Sequence, residues 1–111
     1  MSKPYRLLER AEARLKEIAD WTEDTFGPAQ ADLYGKLIEA RLQKLVDGRA
    51  FTQTCDRLTG DAEDADLSFI RVGEHLLIYK ELEEEFVVLD LLHSRRDLPR
   101  HLSDLNPPKD D

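Results

Sequence analysis

The sequence predicts an α+β fold: an N-terminal strand, an antiparallel two-helix hairpin packed on a mainly antiparallel β-sheet (β-α-α-β-β-β), and a short C-terminal helical turn. Three observations predict it. A helical period runs through residues 9 to 46, broken once at Gly27-Pro28. Three short runs rich in β-branched and aromatic residues lie between residues 67 and 92. Each helix is apolar along one stripe only, so both stripes need a sheet to cover.

The elements follow in order. Tyr5, Leu7 and Leu8 make a short first strand after Pro4, which cannot donate to a ladder and suits a strand start. From about Glu9, the residues Ala11, Leu15, Ile18, Ala19, Thr22 and Phe26 recur at helical spacing, with Glu12, Arg14, Lys16, Glu17, Asp20 and Glu23 between them. Gly27 is placed to end this helix in a left-handed conformation, and Pro28 to open the next. The second helix spans about Ala29 to Val46, its stripe being Tyr34, Leu37, Ile38, Leu42 and Leu45. Asp47-Gly48 is its stop. So short a connection makes the pair an antiparallel hairpin.

Residues 49 to 66 show no sustained period and read as loop. Leu67 to Val72 reads as a strand, with Leu67, Phe69 and Arg71 opposed to Ser68, Ile70 and Val72. Gly73-Glu74 turns the chain into Leu76 to Leu82, and the acids Glu83, Glu84 and Glu85 lead into Phe86 to Leu92. Simple alternation puts Val87, Leu89 and Leu91 on one face of this last strand and Phe86, Val88, Asp90 and Leu92 on the other. Pro99 to Leu102 suits one helical turn. One domain is expected over residues 1–105, with residues 106–111 a flexible tail.

Composition narrows the function. A length of 111 residues supports one core, and a net charge of −8 disfavours broad nucleic-acid binding. No window is apolar enough to cross a membrane. The start Met1-Ser2-Lys3-Pro4 lacks an apolar signal region, which points to the cytoplasm. Cys55 is the one cysteine, so neither an internal disulfide nor a cysteine metal cluster is expected. His75 and His101 have no ligand spacing around them. No phosphate loop, serine elbow or paired-carboxylate motif is present, and no cofactor is expected.

Several local motifs resemble the ParE toxins of bacterial toxin-antitoxin systems, within the wider RelE/ParE superfamily. They are Tyr5-Arg6-Leu7; Phe26-Gly27 followed by Gln30-Ala31 and Tyr34; Ile70-Arg71-Val72-Gly73 leading to His75 and Ile78-Tyr79; and Leu91-Leu92-His93 with Arg95, Asp97 and His101-Leu102. No single piece is specific, but their order and spacing cover nearly the whole chain. The resemblance implies a cytoplasmic toxin that poisons DNA gyrase by protein contact. It also implies neutralisation by a ParD-like antitoxin, in a hetero-oligomer that reaches operator DNA only through the antitoxin. The acidity of this chain departs from the neutral-to-basic charge common in the superfamily.

The sister branch offers an enzymatic alternative, the RelE-like ribosome-dependent mRNA endonuclease. Such cleavage needs proton acceptors, proton donors and cations around a phosphate. Arg57, Arg71, His93, Arg95 and Arg96 fall in the matching regions, but no tyrosine follows Tyr79. A degenerate homologue kept only for antitoxin binding is a third reading. On the leading reading no residue is catalytic. His93, Arg95, Arg96, Arg100 and Arg71 are the candidates for target contact, because arginine makes forked bonds to carboxylates and phosphates. Balancing Asp90, Asp97 and Asp104 is the simpler use of the first three arginines of that set. Trp21, Tyr34 and Leu37 are the candidates for antitoxin contact, in a groove of the hairpin and beside a sheet edge. Trp21 lies off the Ile18/Thr22 stripe, so it is either an anchor for a partner or a peripheral core residue.

Overall fold

The structure is a computed structural model that describes residues 3–95. The expected helical turn at Pro99 to Leu102, the tail, and the candidates Arg96 and Arg100 lie outside the described residues. Strand β1 (Tyr5–Leu7) is followed by helices α1 (Glu9–Phe26) and α2 (Pro28–Val46). Then come β2 (Gln53–Thr54), α3 (Asp56–Thr59) and a 3-10 turn (Ala62–Asp66), and the described residues end with β3 (Ser68–Val72), β4 (His75–Glu81) and β5 (Phe86–His93). The five strands lie in the order β1-β5-β4-β3-β2. All neighbours are antiparallel except β1, which runs parallel to β5 with Tyr5 beside Phe86.

Local chemistry sets the helix ends. Glu9 and Glu12 stand in the first turn of α1, where the positive end of the helix dipole favours acids. Gly27 has φ 98° and ψ 165°. This is not the left-handed helical conformation expected from the sequence. It is an extended region at positive φ that glycine alone occupies readily, and it reverses the chain within one residue. Its amide still closes α1 by donating to Glu23 O, and its carbonyl accepts from Ala31 as Pro28 opens α2. At the far end Gly48, with φ 76°, donates to Leu45 O, and Arg49 donates to Lys44 O.

The hairpin covers one face of the sheet. Ala11, Ile18, Ile38, Leu42 and Leu45 from the helices meet Ile70, Val72, Leu77, Tyr79, Phe86, Val88 and Leu91. The opposite face is a smaller cluster of Leu67, Phe69, Leu76, Ile78, Leu92 and the fully buried Cys55. The segment read from sequence as loop covers part of that face. It holds β2, bonded to β3, and the short helices, with Gly60 ending α3 and the Asp61 carboxylate accepting from the Glu63 amide.

Strict alternation fails along β5. Tyr79 pairs with Val88 but Ile78 pairs with Asp90, so Leu89 has no partner and the strand bulges. Beyond the bulge the faces exchange. Leu91 joins Phe86 and Val88 under the helices, while Leu92 turns to the other cluster with Leu76 and Ile78, where Leu89 also packs. The bulge aims Asp90 at α1. The residue is 2% exposed, and its carboxylate accepts from its own neighbour's amide at Leu91 (2.7 Å) and receives Arg14 Nε at 3.0 Å. Arg10 Nε stands 3.8 Å away. The hydrogen bond to Asp90 raises the guanidinium pKa of Arg14 above its ordinary value. A carboxylate this buried needs such partners, because its desolvation costs several kcal/mol (on the order of 3–5 when one partner is removed).

Candidate functional site

A groove of about 730 Å³ opens between the C-terminal half of α1, the start of α2 and the ends of β4 and β5. Its apolar wall comes from Ile18, Trp21, Phe26 and Leu91, and its polar rim includes Arg14, Glu17, Glu74, His93 and Arg95. The wall follows from the stripe of α1. Ile18 and Thr22 are buried, the Thr22 hydroxyl being satisfied by Ile18 O at 2.7 Å. One turn later on the same stripe, Phe26 is left 62% exposed at the hairpin tip. Trp21 is 60% exposed and meets Phe26 edge to face, with centroids 5.8 Å apart. Two large aromatic side chains held together in water are unusual unless a partner covers them.

At the other end of the groove Tyr34 ties α2 to the β3–β4 turn. Its hydroxyl lies 2.8 Å from Val72 O and 2.7 Å from His75 Nδ1. Burial raises its pKa above the ordinary phenol value, against the backbone amides of Glu74 and His75, which favour the phenolate. The rings of His75 and His93, opposite one another on β4 and β5, meet edge to face at 5.4 Å. His93 Nδ1 accepts from the Arg95 amide at 3.1 Å, and its Nε2 stands 3.6 Å from Glu74 Oε2. Both ring nitrogens thus face protein groups, an arrangement that suits a turn-forming residue better than a general base.

The structure brings together four of the sequence candidates: Trp21, Tyr34, His93 and Arg95 all line this groove. It separates two others. Arg71 is exposed on the sheet's opposite face, in a hollow of about 390 Å³ with Phe51, Phe69 and Leu76, where its Nε donates to Gly73 O. Leu37 is half-buried against the main core and does not line the groove. Sequence reasoning missed Arg14, Phe26 and His75 as groove residues. For Phe26 the signal was present, because it ends an apolar stripe immediately before the Gly27 break. His75 faces His93 only through strand register, which no local pattern shows.

Exposed aromatic side chains inside a charged rim are chemically suited to contact with another macromolecule. The comparisons with known proteins agree with the fold on which they sit. The family model for the ParE toxin of the type II toxin-antitoxin system, parDE, matches residues 5–98. Toxin ParE1 of Mycobacterium tuberculosis, in strains CDC 1551 / Oshkosh and ATCC 25618 / H37Rv, is 29% identical over 103 residues, which cover 92% of this chain and 100% of that protein. Among solved structures, the chromosomal ParDE TA system from P. aeruginosa contains a chain of like fold. It superposes with a TM-score of 0.65 at 14% identity, over 83% of this chain and 96% of that one. With the family match spanning the five strands and two long helices of the described residues, the chain belongs to the ParE toxins of type II toxin-antitoxin systems.

Proposed function

We propose that this toxin inhibits DNA gyrase by protein–protein contact, with no chemical step of its own, and that a ParD-like antitoxin neutralises it in the cytoplasm by covering the groove. The family match over residues 5–98 is the observation that carries this reading. The groove supports it physically. Trp21 and Phe26 offer rigid aromatic area at low entropic cost, Arg14 and Arg95 offer charged contacts beside it, and His93 adds a polar ring. Operator DNA would be reached only through the antitoxin, in keeping with the net charge of −8 on this chain.

The test incubates the pure protein with gyrase and supercoiled plasmid, and separately with translating ribosomes and message. Gyrase-dependent plasmid linearisation with intact message is the expected result. Cleaved message with unaffected gyrase would replace this reading with the RelE-like one. The antitoxin arm adds a stoichiometric amount of the ParD-like partner, which should restore supercoiling.

A further inference from the structure

The bonds around the two histidines at the sheet end assign their protons. A carbonyl only accepts, so the single hydrogen of the Tyr34 hydroxyl goes to Val72 O, and His75 must supply a hydrogen from Nδ1. At His93 the assignment is the reverse. Nδ1 accepts the Arg95 amide, so it carries a lone pair and the ring hydrogen sits on Nε2, toward Glu74. A second proton therefore does different things at the two rings. His75 donates from Nδ1 to Tyr34 whether neutral or charged. His93 cannot keep its bond, because a hydrogen on Nδ1 would point at the Arg95 N–H.

We infer that His93 is a proton-operated latch on the turn that presents Arg95 to the groove. The neutral ring holds the Arg95 amide two residues ahead, as an Asx side chain holds a turn. Protonation releases that amide and leaves the imidazolium paired with Glu74. The Ser94 amide donates to Glu74 O at 2.9 Å and is untouched by the exchange, so the release begins at Arg95. Glu74 from the β3–β4 turn and His75 on β4 touch the ring, and the other titratable or charged groups that line the same groove are Arg14 and Glu17 on α1 and Tyr34 on α2. The two carboxylates favour the charged ring, whereas Arg14, Arg95 and a charged His75 oppose it. The latch belongs to the free chain, so it stands or falls separately from the gyrase reading.

The test follows the full-length, nitrogen-labelled protein by NMR from pH 8 to pH 5, reading the Arg95 amide and both histidine rings. The Arg95 amide proton should move upfield with the midpoint of the His93 ring. In His93→Asn, which keeps a non-titrating acceptor two residues ahead, the amide should hold its position. In His93→Leu it should sit upfield at every pH. An Arg95 amide that stays fixed while His93 titrates in the natural protein would overturn the latch. So would one that tracks the His75 ring, or one that shifts equally in His93→Asn.

Discussion

The ring of Tyr34 lies across Gly73 so closely that a Cβ at Gly73 would stand 2.7 Å from Tyr34 Cε1 and 2.9 Å from its hydroxyl oxygen. Gly73 also has φ 58°, which a side chain disfavours. Gly73→Ala should therefore destabilise by about 2–4 kcal/mol, combining backbone strain with displacement of the ring. In a Tyr34→Ala background only the backbone part, about 1–2 kcal/mol, should remain. Urea unfolding of the four proteins measures the coupling, and equal costs in both backgrounds would show that the ring contact is unimportant.

The Asp90–Arg14 pair should be the ion pair the fold notices most. Arg14→Ala leaves the buried Asp90 carboxylate with Arg10 at 3.8 Å as its remaining cation, which offsets part of the roughly 3–5 kcal/mol expected for a fully orphaned partner, so the cost should be about 2–3 kcal/mol. Arg10→Ala, which removes the longer 3.8 Å contact at a half-exposed arginine, should cost under about 1 kcal/mol. Denaturant midpoints decide the order, and a larger loss for Arg10→Ala would contradict this account of the bulge.

Burial, with Asp64 and Asp56 nearby, pushes the Cys55 thiol from 9.0 up to about 12. A raised acid binds its proton more tightly when folded. Its contribution is thus fully present below the unfolded value and is lost as pH rises from about 9 toward 12. The slope is at most about 1.4 kcal/mol per pH unit. Comparing unfolding free energies of the natural protein and Cys55→Ala across this window isolates it, and the variant should be the flatter of the two. The same thiol should resist disulfide-exchange reagents at neutral pH until the protein is unfolded.

Trp21 should matter for partners and little for folding. Trp21→Ala removes a 60% exposed side chain and should change stability by less than about 0.5 kcal/mol. Its affinity for the ParD-like antitoxin should fall at least about tenfold, roughly 1.4 kcal/mol, as for a buried aromatic anchor. Calorimetric titration checks this. Unchanged affinity in a folded variant would move the antitoxin off this wall.

The elements legible in the sequence are those whose signal is local. The period of Ala11, Ile18 and Thr22, and that of Ile38, Leu42 and Leu45, reflects burial on one helix face, and the apolar runs of β3, β4 and β5 reflect burial in a sheet. What stayed hidden depends on distant partners. β2 is two residues long and exists because Gln53 and Thr54 meet Phe69 and Ser68. The bulge at Leu89 arises from register against β4, and it reverses the face assignment of Leu91 and Leu92. The groove was half legible. Trp21, Tyr34, His93 and Arg95 are of residue types favoured at interfaces or turns, but their convergence needs the hairpin's angle over the sheet. Arg71 was grouped with them by type, and strand alternation sends it to the far face.

The candidate contact residues on the rim give a sharper functional prediction. Replacing His93 with Asn and Arg95 with Ala together should leave the unfolding midpoint nearly unchanged, since Arg95 is exposed and Asn keeps the turn acceptor. Growth arrest on expression should be relieved. An undiminished arrest by the folded double variant would remove both residues from the target surface.

The most direct measurement is a titration of gyrase supercoiling with this protein at fixed gyrase concentration. A toxin that acts by occupying its target should give inhibition that saturates near a fixed ratio of toxin to gyrase and is reversed by an equal amount of antitoxin. Full inhibition at a small fraction of that ratio, growing with time, would mean turnover and would contradict the account.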